Sequence, residues 1–370
     1  MNNIHGLIYA YHSFPELETL GALRTGASLP FCGRYRLIDF TLSSMMHAGI
    51  RNVGVIMQRG YQSLMEHLQS GRSWNLALNN GGLHQLPPYG LPDANKGFYE
   101  GCMEALSANY SYLSDIREEY VLISRGDLCA NVDMKALIAA HMASGAEITA
   151  VCTRQALPYT HHCFTPDGQG FAAALLCCQE NNDRGDASLE MYLLRRERLL
   201  ELVRWSREAS RLHFHRDALN YAMAQGWRIG LYLHEGYALH ITSVSDYYRA
   251  NMDMLDPEQR ASLFPAERRV ATRARSDVST YYGDRAVVKN ALIADGCRIE
   301  GQVESCVIFG GVSVGAGAAV RNCILLNDTV IGENCDLSAV IADKNVVLAP
   351  GTCLRGSEKL PLAIPKGSRI

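Results

Sequence analysis

The 370-residue chain is 48% hydrophobic and 20% charged with a formal net charge of −3, a balance that offers nucleic acid or an anionic membrane no electrostatic footprint. Its length exceeds the usual single domain, so two domains are expected, each burying a core of its own. The chain opens without a basic leader or a long apolar run, and a cytoplasmic location is expected.

Residues 4–10 read as a first strand, and 36–48 as a helix whose apolar spacing (Leu37, Phe40, Leu42, Met45, Met46) ends at Gly49, a residue suited to a left-handed cap. A strand at 53–57 and a helix at 61–68 follow, and the Gly-, Asn- and Pro-rich stretch 71–95 reads as loop. Residues 98–109 read as helix, 120–124 as a buried strand, 133–144 as helix and 147–152 as strand. Beyond these, strand character marks 171–178 and 227–234, and helical character 196–207, 217–225 and 243–254. Alternating strands and helices predict an α/β domain over 1–256, with a mixed, mostly parallel sheet covered by helices on both faces. The polar, arginine-rich 257–285 reads as a linker.

From 286 to 370 apolar residues recur every six positions: Ile293 and Ile299; Ile308, Val314 and Val320; Leu325, Ile331 and Leu337; Ile341, Val347 and Cys353. A helix cannot sustain a period of six, whereas a left-handed parallel β-helix of hexapeptide repeats requires it. Val314, Ile331 and Val347, 17 and 16 residues apart, are taken as equivalent positions. Twelve cysteines scattered from Cys32 to Cys353, with no C-x-x-C pair, read as reduced and mostly buried thiols.

Residues 31–44, Phe-Cys-Gly-Arg-Tyr-Arg-Leu-Ile-Asp-Phe-Thr-Leu-Ser-Ser, resemble the G-G-[KR]-[FY]-R-[IL]-I-D-F-x-L-S-N stretch of glucose-1-phosphate adenylyltransferases. Segments 52–58, 98–106, 120–127 and 247–251 follow in the family's order, as does the hexapeptide β-helix. The resemblance implies a Rossmann-like nucleotidyltransferase domain and a reaction joining ATP to glucose 1-phosphate, with release of pyrophosphate. It also implies magnesium held by two aspartates, a glycine-rich triphosphate loop with an arginine, and a lysine on the sugar phosphate.

Several of these elements are missing. Tyr9-Ala10-Tyr11-His12-Ser13-Phe14-Pro15 stands where the glycine loop belongs. Asp127 aligns with the first metal aspartate, but His240 aligns with the second, and no E-K-P occurs between residues 150 and 188. Gly26 replaces a lysine, leaving Arg24. Losing one electrostatic contributor of this kind costs roughly a hundred- to thousand-fold in rate. The pattern is similar to the family's non-catalytic D-type subunits, which pair with a catalytic homologue in a mixed tetramer; self-association is the simpler assembly. The alternative is an active sugar-1-phosphate nucleotidyltransferase with an atypical phosphate loop. A hexapeptide acyltransferase is disfavoured because all twelve histidines lie at or before position 240.

The resemblance gives substrate or effector phosphate to Arg24, Arg34, Arg36, Gln58 and Ser63, with an anionic sugar phosphate as the effector class. The arginines serve equally as partners of internal acids such as Asp39, and Gln58 as a surface residue. Asp127 without its partner reads as a turn or cap, and His161, His162, His213 and His215 read as solvated. No cofactor is expected to be bound.

Overall fold

A computed structural model describes residues 3–12, 14–88, 99–157, 159, 161–178, 185–273 and 275–370. Nine described strands form one mixed sheet: β1 (Ile4–Tyr9), β2 (Asn52–Ile56), β3 (Gly82–Leu86), β4 (Tyr120–Arg125), β5 (Ile148–Thr153), β6 (His161–Pro166), β7 (Ala172–Cys178), β8 (Asp186–Arg195) and β9 (Ile229–Leu233). The path runs β7-β6-β8-β4-β1-β2-β3, with β5 pairing both β8 and β9. Strands β3, β2, β1 and β4 are mutually parallel, and β8 is antiparallel to β4, β5 and β6.

Because side chains alternate along a strand, β1 sends Leu7 and Tyr9 into one core and Ile4 and Ile8 into the other. Helices Cys102–Ala108 and Arg196–Glu208 cover the first face, and Ile38–His47 and Met134–Ser144 the second. Each fully buried aliphatic or aromatic side chain contributes about 1.5–3 kcal/mol.

Several expectations from sequence are corrected. Strand β3 lies inside the stretch read as loop, where Gly82 at φ 92 enters the sheet through a bond from its N–H to Asn52. Strands β6 and β8 were not anticipated. The end of the expected loop, residues 89–95, and the start of the expected 98–109 helix lie outside the described residues. The linker begins with a helix, Pro257–Leu263, capped by Asp256. Cys163 and Cys178 are paired across β6 and β7, with Cα atoms 6.2 Å apart; the other ten cysteines are free.

Three five-stranded parallel sheets then wind into a β-helix, whose first rung is Tyr281–Tyr282. The inward column of Val314 and Ile331 continues to Leu348, not Val347, and Leu337 is followed by Leu354, not Cys353. Successive coils are thus 17 residues apart at both steps. Ala342, beside Leu325, starts the next six-residue steps to Leu348 and Leu354 after a five-residue step from Leu337. Ile341 points the other way, into the domain interface. At the corners, Gly315 and Gly332 lack side chains because a Cβ at Gly332 would come within 2.6 Å of the backbone of Pro350 on the next coil.

The β-helix turns one sheet toward the α/β domain, and Val307, Phe309, Ile324 and Ile341 pack against Phe31, Phe40, Tyr247 and Tyr248. Helix Val244–Asp253, opened by a Ser243–Asp246 capping box, ties the two together. Tyr247 donates to the Pro30 carbonyl and Tyr248 to the Asn322 carbonyl, each at 2.8 Å, and Asn251 accepts from the Cys32 N–H. Among the described residues no helix is long and apolar enough to cross a membrane.

Candidate functional site

Two clefts flank the segment after β1. The first, of about 700 Å³, opens where β1, β8 and the 213–215 segment meet. Instead of a glycine cradle, β1 runs into stacked rings: Tyr11 lies edge-on to Tyr9 and Tyr99, tilted on His12 at 4.7 Å, and His12 lies parallel to Phe14. The hydroxyls of Tyr9 and Tyr11 and Nδ1 of His12 are buried without hydrogen-bond partners.

Arg125, the last residue of β4, organises the floor. Its Nε and Nη2 donate to the two oxygens of Asp127 at 2.8 Å each, and Nη1 donates to Glu190 Oε1 at 3.2 Å. Arg125 and Asp127 are buried. Burial alone would raise the Asp127 pKa, but the adjacent guanidinium outweighs it and brings the carboxyl to about 2. Glu190 is likewise held well below the usual carboxylate range, its burial offset by Arg125 and then His215. Glu190 sits at φ +51 in a bulge of β8, a left-handed conformation that a non-glycine residue holds at a cost of about 1–3 kcal/mol.

His240 pairs in register with Leu128 beside Asp127, buried, with neither ring nitrogen hydrogen-bonded. Burial, and next Arg125, lower its pKa to about 4; burial does the same for His12 and His215. The four histidines expected to be solvated, His161, His162, His213 and His215, are packed against protein instead. His161 is buried, and His162 lies tilted against His215 with ring centroids 3.9 Å apart, His213 lying 6.1 Å from His215. Gly26 packs against Asp127, where a Cβ would meet the aspartate Cβ at 3.2 Å and Oδ2 at 3.3 Å.

The expected phosphate-binding residues divide between sites. Gln58 is buried and lines the first cleft. Arg24 stands on its rim but points its guanidinium at Asp343 of the β-helix, at 2.7 and 2.9 Å. Arg34 and Arg36 line a second cleft of about 510 Å³ between the two domains, with Lys344 and His67. Arg36 donates to the carbonyl and hydroxyl of Ser63, and Asp39 takes the Arg36 backbone N–H and His67. Among the described residues, neither Arg34 nor the Lys344 ammonium has a carboxylate within ion-pair distance. Burial, and next Arg36, lower the Lys344 pKa to about 8.

Sequence reasoning missed Arg125, Glu190, Asp343 and Lys344. The first stood in view before Gly126-Asp127, but its role depends on where the side chain points.

This sheet with its β-helix defines the sugar nucleotidyl transferase architecture, and the profile described as nucleotidyl transferase matches residues 20–256, while that described as GlmU-like, C-terminal hexapeptide, matches 276–358. The chain is 31% identical over 352 residues to the glycogen biosynthesis protein GlgD of Bacillus subtilis (strain 168), covering 95% of this chain and 92% of that one. It is 30% identical over 341 residues to the glucose-1-phosphate adenylyltransferase of Desulfitobacterium hafniense (strain DSM 10664 / DCB-2), covering 89% and 84%. That of Bacillus anthracis is 28% identical over 343 residues, covering 89% and 88%. The chain belongs to the glucose-1-phosphate adenylyltransferase family.

Magnesium, which this family's chemistry uses, does not fit the donor set around Asp127. Both Asp127 oxygens face Arg125, Glu190 faces the same guanidinium, and the remaining neighbours are imidazoles, poor ligands for a cation that wants oxygen.

Proposed function

We propose that this chain is a catalytically silent subunit that modulates ADP-glucose synthesis for glycogen formation, in a mixed tetramer with a catalytic homologue in the cytoplasm. The observation that carries the reading is the Arg125 fork on Asp127: a fixed guanidinium supplies the positive charge that a metal would otherwise bring, and it cannot be exchanged with substrate. An active transferase with an atypical phosphate loop would need paired carboxylates turned to a metal, and Arg125 takes both oxygens of Asp127 and one of Glu190.

The interdomain cleft supports an effector role. Arg34, Arg36 and Lys344 bring positive charge to one cavity, and a half-buried ammonium without a counter-ion is costly until an anion joins it. The effector class is an anionic sugar phosphate. Mixing the purified chain with a catalytic homologue, with and without a panel of sugar mono- and bisphosphates, and measuring pyrophosphate release tests the reading. Raised activity or an altered effector response supports it; a mixture that behaves as the homologue alone contradicts it.

A further inference from the structure

Lys344 lines the second cleft two residues after the β-helix strand Val340–Ala342, and the charges around it are unequal. Burial, then Arg36, Arg24 and Lys366, disfavour its ammonium, and Asp343 favours it. Asp343, however, already gives both its oxygens to Arg24. The other charged groups of the cleft leave Lys344 without a counter-ion. Asp277 and Asp328 are paired to Arg275, His67 is paired to Asp39, and Asp295 has no cation within ion-pair distance among the described residues. A lysine desolvated beside fixed cations is held partly as the free amine, which is its nucleophilic form. With a pKa of about 8, it carries roughly a hundredfold more neutral amine at pH 8 than an ordinary surface lysine. The same cavity offers partners for an anion built on that amine. Arg34 has no carboxylate partner, and Arg36 donates to Ser63 through Nη1 alone, so guanidinium N–H groups remain unengaged among the described residues.

We infer that Lys344 is a modification site for carbon dioxide, its side-chain amine forming a carbamate that Arg34 and Arg36 hold. The amine nitrogen attacks the carbon of CO2, a C–N bond forms, one C=O electron pair moves to oxygen, and the nitrogen gives a proton to solvent. R–NH2 and CO2 thus yield R–NH–COO− and H+, with no oxidation or reduction. The side chain changes from a cation to an anion, and the surplus positive charge of the cleft is answered from within the chain. A carbamate and a bound anion compete for the same arginines. The inference goes beyond the effector reading of this cleft and does not depend on it.

Carbon NMR of the full chain equilibrated with isotope-labelled bicarbonate tests this, with triethyloxonium esterification and peptide mass spectrometry to locate the adduct. A carbamate signal separate from bicarbonate and dissolved CO2 is expected, with the adduct on Lys344. At fixed dissolved CO2 its occupancy is expected to rise from about pH 7 to 9, because one proton leaves the ammonium and a second leaves on addition. Lys344→Met is expected to abolish the signal, Arg34→Gln to lower the occupancy about tenfold, and saturating sulfate to lower it severalfold. The mass assignment is made on the unaltered chain, so it decides the matter even where Lys344→Met fails to fold. No carbamate, an adduct confined to other amines, a signal that survives Lys344→Met, or an occupancy unchanged by Arg34→Gln or by sulfate overturns the inference. A mixture with a catalytic homologue that ignores sugar phosphates overturns the effector reading alone, and a chain that forms no carbamate overturns this inference alone.

Discussion

Arg24 and Asp343, 319 residues apart, form a buried ion pair across the interface of the α/β domain and the β-helix, with Nη2 of the arginine donating to both carboxylate oxygens. Asp343 also accepts the Lys344 backbone N–H, so one carboxylate connects the rim of the first cleft to the wall of the second.

Breaking this pair from one side strands a charge in a buried site. Arg24→Ala or Asp343→Ala is expected to destabilise the chain by about 3–5 kcal/mol, whereas Arg24→Met with Asp343→Leu is expected to be close to neutral. Denaturant unfolding of the three variants checks this. Equal losses in single and double variants would mean the pair contributes packing alone.

Arg125 is expected to be needed for stability as well as for silence. Arg125→Met leaves Asp127 and Glu190 buried without their shared partner, and a loss of about 3–5 kcal/mol is expected at pH 7. Much of that loss should disappear near pH 4, where the freed carboxyls protonate. A loss that is the same at both pH values would contradict the ion-pair account.

The fold is expected to weaken in mild acid before its carboxylates titrate. The folded-state pKa of His240 is depressed from 6.5 to about 4, so the unfolded chain binds a proton below pH 6.5 that the folded chain refuses until about pH 4. Its contribution is therefore complete above pH 6.5 and lost as pH falls toward 4. His12 and His215 act in the same direction. His240→Phe should reduce the slope of stability against pH in that window by about 1.4 kcal/mol per unit. Unfolding free energies from pH 7 to 5 give the slope, and an unchanged slope would show that His240 titrates normally.

An anion in the interdomain cleft should stabilise the chain. Saturating sulfate is expected to raise the Tm by about 2 °C or more, and Lys344→Ala to remove most of the gain. Because the Lys344 pKa lies at about 8, the ammonium that attracts the anion is lost as pH rises through that value, and the effect should fade between pH 7 and 9. A sulfate response that Lys344→Ala leaves intact would place the anion elsewhere.

How much of this was legible depended on the range of the interaction involved. The six-residue period revealed the β-helix because each inward side chain answers only to its own coil, and it slipped where small Ala342 stood in for an aliphatic residue. The 31–44 segment was legible because its motif is contiguous. Strand β3 was hidden by the glycines and asparagines that flank it, and by a register set through Asn52, 30 residues before Gly82. Asp127 and His240 were named from sequence and do lie together, through the pairing of 128–130 with 238–240. What surrounds them was not legible: Glu190 acts through a bulge, and Arg24 was offered to phosphate when its partner, Asp343, lies in the other domain.

The account turns on whether Arg125 has closed the metal site. Its most direct test is the initial rate of pyrophosphate release by the purified chain alone, at saturating ATP, glucose 1-phosphate and magnesium, beside a catalytic homologue. The account predicts a rate at background, at least about a thousandfold below the homologue; a magnesium-dependent rate within tenfold of the homologue would contradict it.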